Sequence, residues 1–181
     1  MTKIIKLKNV RLSYPFLFQK YVDKNGEIGD YQCTLLFDKN DIATKAMLDQ
    51  AIEQCKEDNN GVIKNRIVDE QHCFLKNGDN KDGDENDGMW VVKTKNRRRP
   101  HVVNRDRTPL IESDEVIYSG CYVNAHISLW FSNHERGGRQ ILANIHGVQF
   151  SKDGESLEGG VVNCEFDDLS DDDISDDEVT F

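Results

Sequence analysis

Seven cations fall within fifteen residues, Lys93, Lys95, Arg97, Arg98, Arg99, Arg105 and Arg107, beside one acid, Asp106, and just after Trp90. Lysines and arginines spaced along a segment neutralise phosphates and release their counterions, and an indole offers a face on which an unpaired base stacks. Pro100 breaks the run. The segment therefore has the composition of a phosphate-tracking loop or strand end with a stacking neighbour. A solvated charged loop is the alternative, and the basic run taken alone supports it equally well.

Other residue types that do chemistry are present without the spacing chemistry needs. Glu112, Asp114 and Glu115 could hold Mg²⁺ for strand cleavage, but after Thr108-Pro109 they read as a solvated turn. His72, His101, His126, His134 and His146 are scattered without ligand spacing. The polar stretch 77–88, NGDNKDGDENDG, lacks the glycine and glutamate positions of a calcium loop and reads as a mobile connection. Cys33, Cys55, Cys73, Cys121 and Cys164 are odd in number and form no CxxC pair, which points to a reducing cytoplasm. No glycine-rich phosphate loop or nucleophile elbow occurs. The expectation is a protein that is not an enzyme, with no metal and no cofactor.

The second charge feature lies at the far end. Residues 165–181, EFDDLSDDDISDDEVTF, hold nine acids and no Lys or Arg. Such a segment cannot bury enough apolar surface to offset its ordering entropy, so it is expected to be a disordered interaction tail. Asp171, Asp172, Asp173, Asp176, Asp177, Glu178 and the terminal Phe181 are its candidate contacts. From Asp153 onward there are twelve acids and no bases, so the formal net charge of -10 hides a body, residues 1–152, with 23 bases against 21 acids. A chain of the tail's length spans on the order of 23 Å, against a radius of gyration of about 15 Å for a body of this size, and reaches its own body's surface.

Period-two alternation supplies most of the elements that must position these residues. Ile5 and Leu7, then Val10 and Leu12 after a bulge near Asn9, make a first strand ended by Tyr14-Pro15-Phe16. Tyr31, Cys33, Leu35 and Phe37 share one face of a second. Leu48, Ala51, Ile52 and Cys55 follow helical spacing, predicting a helix over 42–56 with caps from 38–41 and a stop at Asn59-Asn60-Gly61. In 120–131, Cys121, Val123, Ala125, Ile127, Leu129 and Phe131 form an apolar face, while Tyr122, His126 and Trp130 sit on the other with Asn124 and Ser128. That second face suits stacking and adaptable polar contact, unless the helix or a second copy of the chain, as a homodimer, covers its aromatics. A loop over 132–138 leads into a partner strand, whose register Gly147 disturbs. These elements predict a mainly β domain over 1–152, its core extending to about residue 164, most like a five-stranded Greek-key OB barrel with an extended hairpin. A β-sandwich would share the pattern.

At NVRLSYPFLF, IYSGCYVNAHISLW and NIHGVQFSKDGESLEGG the chain resembles a phage-encoded family of single-stranded DNA-binding proteins with an OB fold, over most of residues 3–162. The tail, acidic and ending in an aromatic residue, is similar to those of lytic-phage replication single-strand binders, where the tail recruits replication proteins and competes with DNA. The resemblance implies binding of single-stranded DNA during replication, recombination or repair, and places Arg97 to Arg99 and the Tyr122–Trp130 strand on or near the DNA path. It also implies tail contacts to replication proteins such as a polymerase or helicase. Duplex DNA is expected to bind more weakly, because stacking requires unpaired bases. No apolar run reaches membrane-spanning length and the N-terminus lacks a signal-peptide pattern, so a cytoplasmic location, that of the host cell, is expected. The competing reading is an acidic-tailed adaptor that binds a basic protein, which leaves the basic run unused.

Overall fold

The computed structural model describes residues 3–59, 72–134, 138–158 and Asp167. The expected helix-stop residues Asn60 and Gly61, the hairpin tip 135–137, Cys164 and the tail residues Asp171 to Phe181 lie outside the described residues.

Strand β1, Ile5–Phe16, begins with buried Ile5 and Leu7 alternating with exposed Lys6 and Lys8. At Asn9, with φ 50°, its register against β6 (Tyr122–His134) slips between Leu7 and Val10, which returns Val10 and Leu12 to the core. The bulge is where the sequence predicts it. The strand ends within the expected Tyr14-Pro15-Phe16 triplet. It runs on to Phe16 through a second irregularity between Ser13 and Phe16, where Tyr14 adopts φ 47°.

Five strands close on one another. β2 (Tyr31–Asp38) pairs antiparallel with β1 and with β4 (Met89–Asn96); β6 pairs antiparallel with β1 and with β7 (Gly138–Lys152). The ring shuts where β7 meets β4 in parallel, through only Thr94 with Ala143 and Lys95 with Asn144. Beside that short seam, Phe74 donates its N–H to Ile141 and accepts from Lys93, extending the closure by backbone hydrogen bonds. This is the OB barrel, and its closure excludes the sandwich. Two three-residue strands that the alternation did not reveal, β3 (Leu75–Asn77) on β4 and β5 (His101–Val103) on β7, bring the sheet to seven. A three-residue run is too short to show a period.

The helix α1, Ile42–Asp58, starts at Asp41, whose carboxylate accepts the Thr44 N–H. Its stripe of Leu48, Ala51, Ile52 and Cys55 joins the barrel core beside β6. Within the core lie Leu7, Leu12, Leu35, Val92, Val123, Ile127, Ile141 and Ile145, the inward-facing positions of all five ring strands.

Two connections are more structured than their composition suggests. The stretch 77–88, expected to be a mobile connection, forms two 3-10 turns. Asn77 caps the first by accepting the Asp79 N–H, while Asp79 accepts the Gly88 N–H at 2.7 Å and pairs with Lys39. These bonds replace the solvent contacts that polar composition alone implies. Residues 153–158 then pack on the barrel: Arg11 donates to the Glu155 carbonyl at 2.7 Å and the Leu157 N–H reaches Ser119. A Cβ on Gly120 would lie 2.0 Å from the Glu155 oxygen and one on Gly154 2.1 Å from the Gly120 oxygen, so only glycines permit this approach. The packed body therefore extends past Lys152.

Candidate nucleic-acid interface

In an OB barrel the second and third ring strands form the face that meets oligonucleotides. Here those strands are β2 and β4, and over them lies a trough of about 350 Å³ reaching the facing edge of β7. Its walls come from alternation. Val92 and Thr94 point into the core, so Lys93 and Lys95 point out, opposite Thr34 and Gln32 of β2. Lys76 and Tyr14 line the same trough, and among the described residues no carboxylate does. The bulge in β1 and the left-handed backbone of Tyr14 leave that ring 64 % exposed. A non-glycine residue held there costs on the order of 1–3 kcal/mol, an outlay typical of functional sites.

Electrostatics sharpen the picture. Partial burial, and then the neighbouring charge of Lys81, hold the Lys93 ammonium below the ordinary lysine range. Cations crowded together make a surface that favours an anion. The Cys33 thiol at the trough's floor is pushed up to about 12 by burial, against a smaller opposing effect of its contact with Thr94 at 3.2 Å. It is inert as a nucleophile at neutral pH.

Past the end of β4 the cationic surface continues. Arg97, Arg98 and Arg99 are all exposed. Asn96 pins their turn, accepting the Arg98 N–H at 3.0 Å and donating to the Ile145 carbonyl at 2.9 Å. The Arg99 guanidinium lies 5.8 Å from the Phe18 ring centre and Lys20 lies 5.8 Å from that of Tyr31.

The remaining candidates are distributed elsewhere. Trp90, which the sequence sets beside the basic run, occupies the opposite end of β4 and shares the core-facing side with Val92. Its ring is held by Lys45 at 4.6 Å and Lys39 at 5.1 Å. Tyr122 lies under Lys152, whose ammonium is 4.7 Å from its ring centre. Trp130, 40 % exposed, donates its indole N–H to Asn144 and borders a cleft shared with Gln50 and Gln54 of α1. Tyr122 and Trp130 thus serve different neighbourhoods of one strand face. His126 and Arg107 come together in a groove on β5, β6 and β7, while Arg105 is exposed in the adjoining turn. The structure adds Tyr14, Gln32, Lys76 and Lys81, which lie on separate segments of the chain.

The carboxylates Glu112 and Asp114 are engaged locally: Glu112 accepts from Gln19 and Asp114 accepts the Ile111 N–H. Among the described residues no group of three or more His, Cys, Asp or Glu side chains could hold a metal ion, and no helix is long and apolar enough to cross a membrane.

A closed OB barrel whose strand 2–3 face is a lysine-lined trough belongs, by architecture and surface, to the oligonucleotide-binding class of this fold. The relatives agree. The model of the family described as the Enterobacter phage Enc34 ssDNA-binding protein matches residues 2–179, and the chain belongs to that family. Putative protein p50 of Acyrthosiphon pisum secondary endosymbiont phage 1 is 36 % identical over 175 residues, covering 92 % of this chain and 94 % of its own. The solved single-stranded DNA-binding protein of bacteriophage Enc34, in complex with ssDNA, superposes with a TM-score of 0.75 at 35 % identity, covering 85 % of this chain and 89 % of that one. Gp2.5, a single-stranded DNA-binding protein of bacteriophage T7, shares the fold at a TM-score of 0.60 and 15 % identity, over 89 % of this chain and 92 % of its own.

Proposed function

We propose that the chain binds single-stranded DNA independently of sequence and protects exposed strands during phage DNA replication, recombination or repair in the host cytoplasm. The observation that carries this is the trough over β2 and β4, where Lys93 and Lys95 stand with Tyr14 and, among the described residues, no carboxylate intervenes. Phosphates meet the lysines and Arg97 to Arg99; an unpaired base meets the Tyr14 ring. Such contacts track the backbone and stack without reading base edges, so sequence preference is weak. Support also comes from the Enc34 protein, solved with ssDNA.

The acidic tail is proposed to compete with DNA for the same cations and, once displaced, to present Phe181 to replication proteins such as a polymerase or helicase. The test is a fluorescence-anisotropy titration of the full chain and of a chain ending at Cys164, with single-stranded and duplex oligonucleotides across a salt series. Tighter binding of single strands, with a several-fold gain on tail removal, is expected. Equal affinity of both chains would remove the competition. Absence of binding by either would leave the acidic-tailed adaptor of a basic protein as the better account.

A further inference from the structure

Acids are plentiful in this chain, 33 in all, and their placement around its clefts is uneven. The cleft beside α1 contains Asp58, and the one beside the β1–β2 connection contains Glu112, Glu115 and Glu158. Among the described residues the trough over β2 and β4 contains none, and neither does a second groove, of about 250 Å³, across β5, β7 and β6. His101, Arg107, Asn124, His126 and Gln149 line that groove. The strand pairing sets His101 and His126 on either side of Gly147. Two side-chain rings therefore stand over a residue with none, their backbones roughly 9.5 Å apart, two strand spacings.

The end of the groove is held in place. Arg107 sits at φ 71° in a turn fixed by its N–H to the Asn104 carbonyl and by the Asn104 N–H to Thr108, and Gln149 donates to the Arg105 carbonyl at 3.1 Å. Asp106, the acid of that turn, accepts from the Thr108 N–H and hydroxyl at 3.0 and 2.6 Å. It does not line the groove.

The two surfaces are also continuous. β4 and β5 lie along the same edge of β7, Thr94 and Lys95 against residues 143–144 and His101 to Val103 against residues 147–149. The exposed Arg97 to Arg99 turn joins them. We infer that a bound DNA strand continues beyond the trough, over this arginine turn, into the β5–β7–β6 groove, where Arg107 takes a phosphate and His101 and His126 flank a nucleotide over Gly147. This rests on the strand-binding reading and enlarges its footprint to two sides of the barrel.

The experiment compares oligothymidines of about 6 and about 16 nucleotides, within the range of OB footprints, by anisotropy across a salt series on the full-length protein. The variant is Arg107→Asn with His126→Thr; asparagine tolerates the left-handed backbone and threonine suits a strand. Both native side chains are exposed, and an unchanged Tm confirms the fold. The variant is expected to lose about tenfold on the long strand, with a log-log salt slope shallower by about 0.7 for the lost phosphate, and nothing on the short one. His101→Thr alone should give the same length-selective loss. An equal loss on both lengths, or none on either, overturns the second groove while leaving the trough intact. No binding of either oligonucleotide by the unaltered protein overturns both.

Discussion

Lysines meet aromatic rings or line a surface at both ends of β4, and their partners differ. Around Trp90, Lys39 is paired with Asp79 and Lys45 with Asp49, so each charge over the ring is already compensated. In the trough, Lys93 faces Lys81 and, among the described residues, no carboxylate enters the lining. The first arrangement clamps α1 and the 77–88 turns to the barrel; the second leaves a field that an incoming anion can relax. Residue type alone does not separate a structural cation from a binding one, whereas the presence of a compensating acid does.

That contrast can be broken from either end. Trp90→Ala should have the largest effect, about 3 kcal/mol of stability by denaturant titration, with unchanged DNA affinity in the folded protein; a loss of affinity would make Trp90 a stacking residue after all. Lys93→Glu with Lys95→Glu should weaken single-strand binding about a hundredfold, about 2.7 kcal/mol, and flatten the salt slope by about 1.4, with little change in Tm. Tyr14→Ala should cost on the order of tenfold in affinity, within the range for one stacked base; no change would place stacking on another ring. The smallest effect concerns pH. Phosphate favours the charged form of Lys93, whose pKa is lowered in the free protein, so binding takes up a proton and affinity falls as pH rises toward that lowered value. Lys81→Ala removes a cause of the depression and should move the fall to higher pH, seen in anisotropy titrations at alkaline pH.

Local signals in the sequence proved readable and non-local ones did not. The helix followed from Leu48, Ala51, Ile52 and Cys55 with the Asp41 cap, and the bulges from Asn9 and Gly147, because each is a short-range pattern with a steric cause. Trp90 stands apart from the arginines because nearness in sequence is distance in a strand: seven residues to Arg97 span roughly 23 Å, and parity puts the indole on the core side. Lys93 and Lys95 were identifiable as cations, but their companions Tyr14, Lys76 and Lys81 come from other segments and meet them only through pairing. Tyr14 did leave a trace. A tyrosine before Pro15 in an otherwise alternating run marks a backbone irregularity, which gives the end of the strand but not the outward turn of the ring.

The parallel seam between β4 and β7 has a further consequence for folding and breathing. It joins positions about fifty residues apart through two residue pairs, so it closes a long loop for few bonds and is the part of the ring expected to form last and open first. Lys93 and Lys95 stand on one side of this seam and Gln140 and Leu142 on the other, all lining the trough. A ligand lying across them binds the closed ring alone. By mass action its occupancy then suppresses local opening, and the amides of Thr94, Lys95 and their β7 partners exchange with solvent more slowly as the strand is loaded.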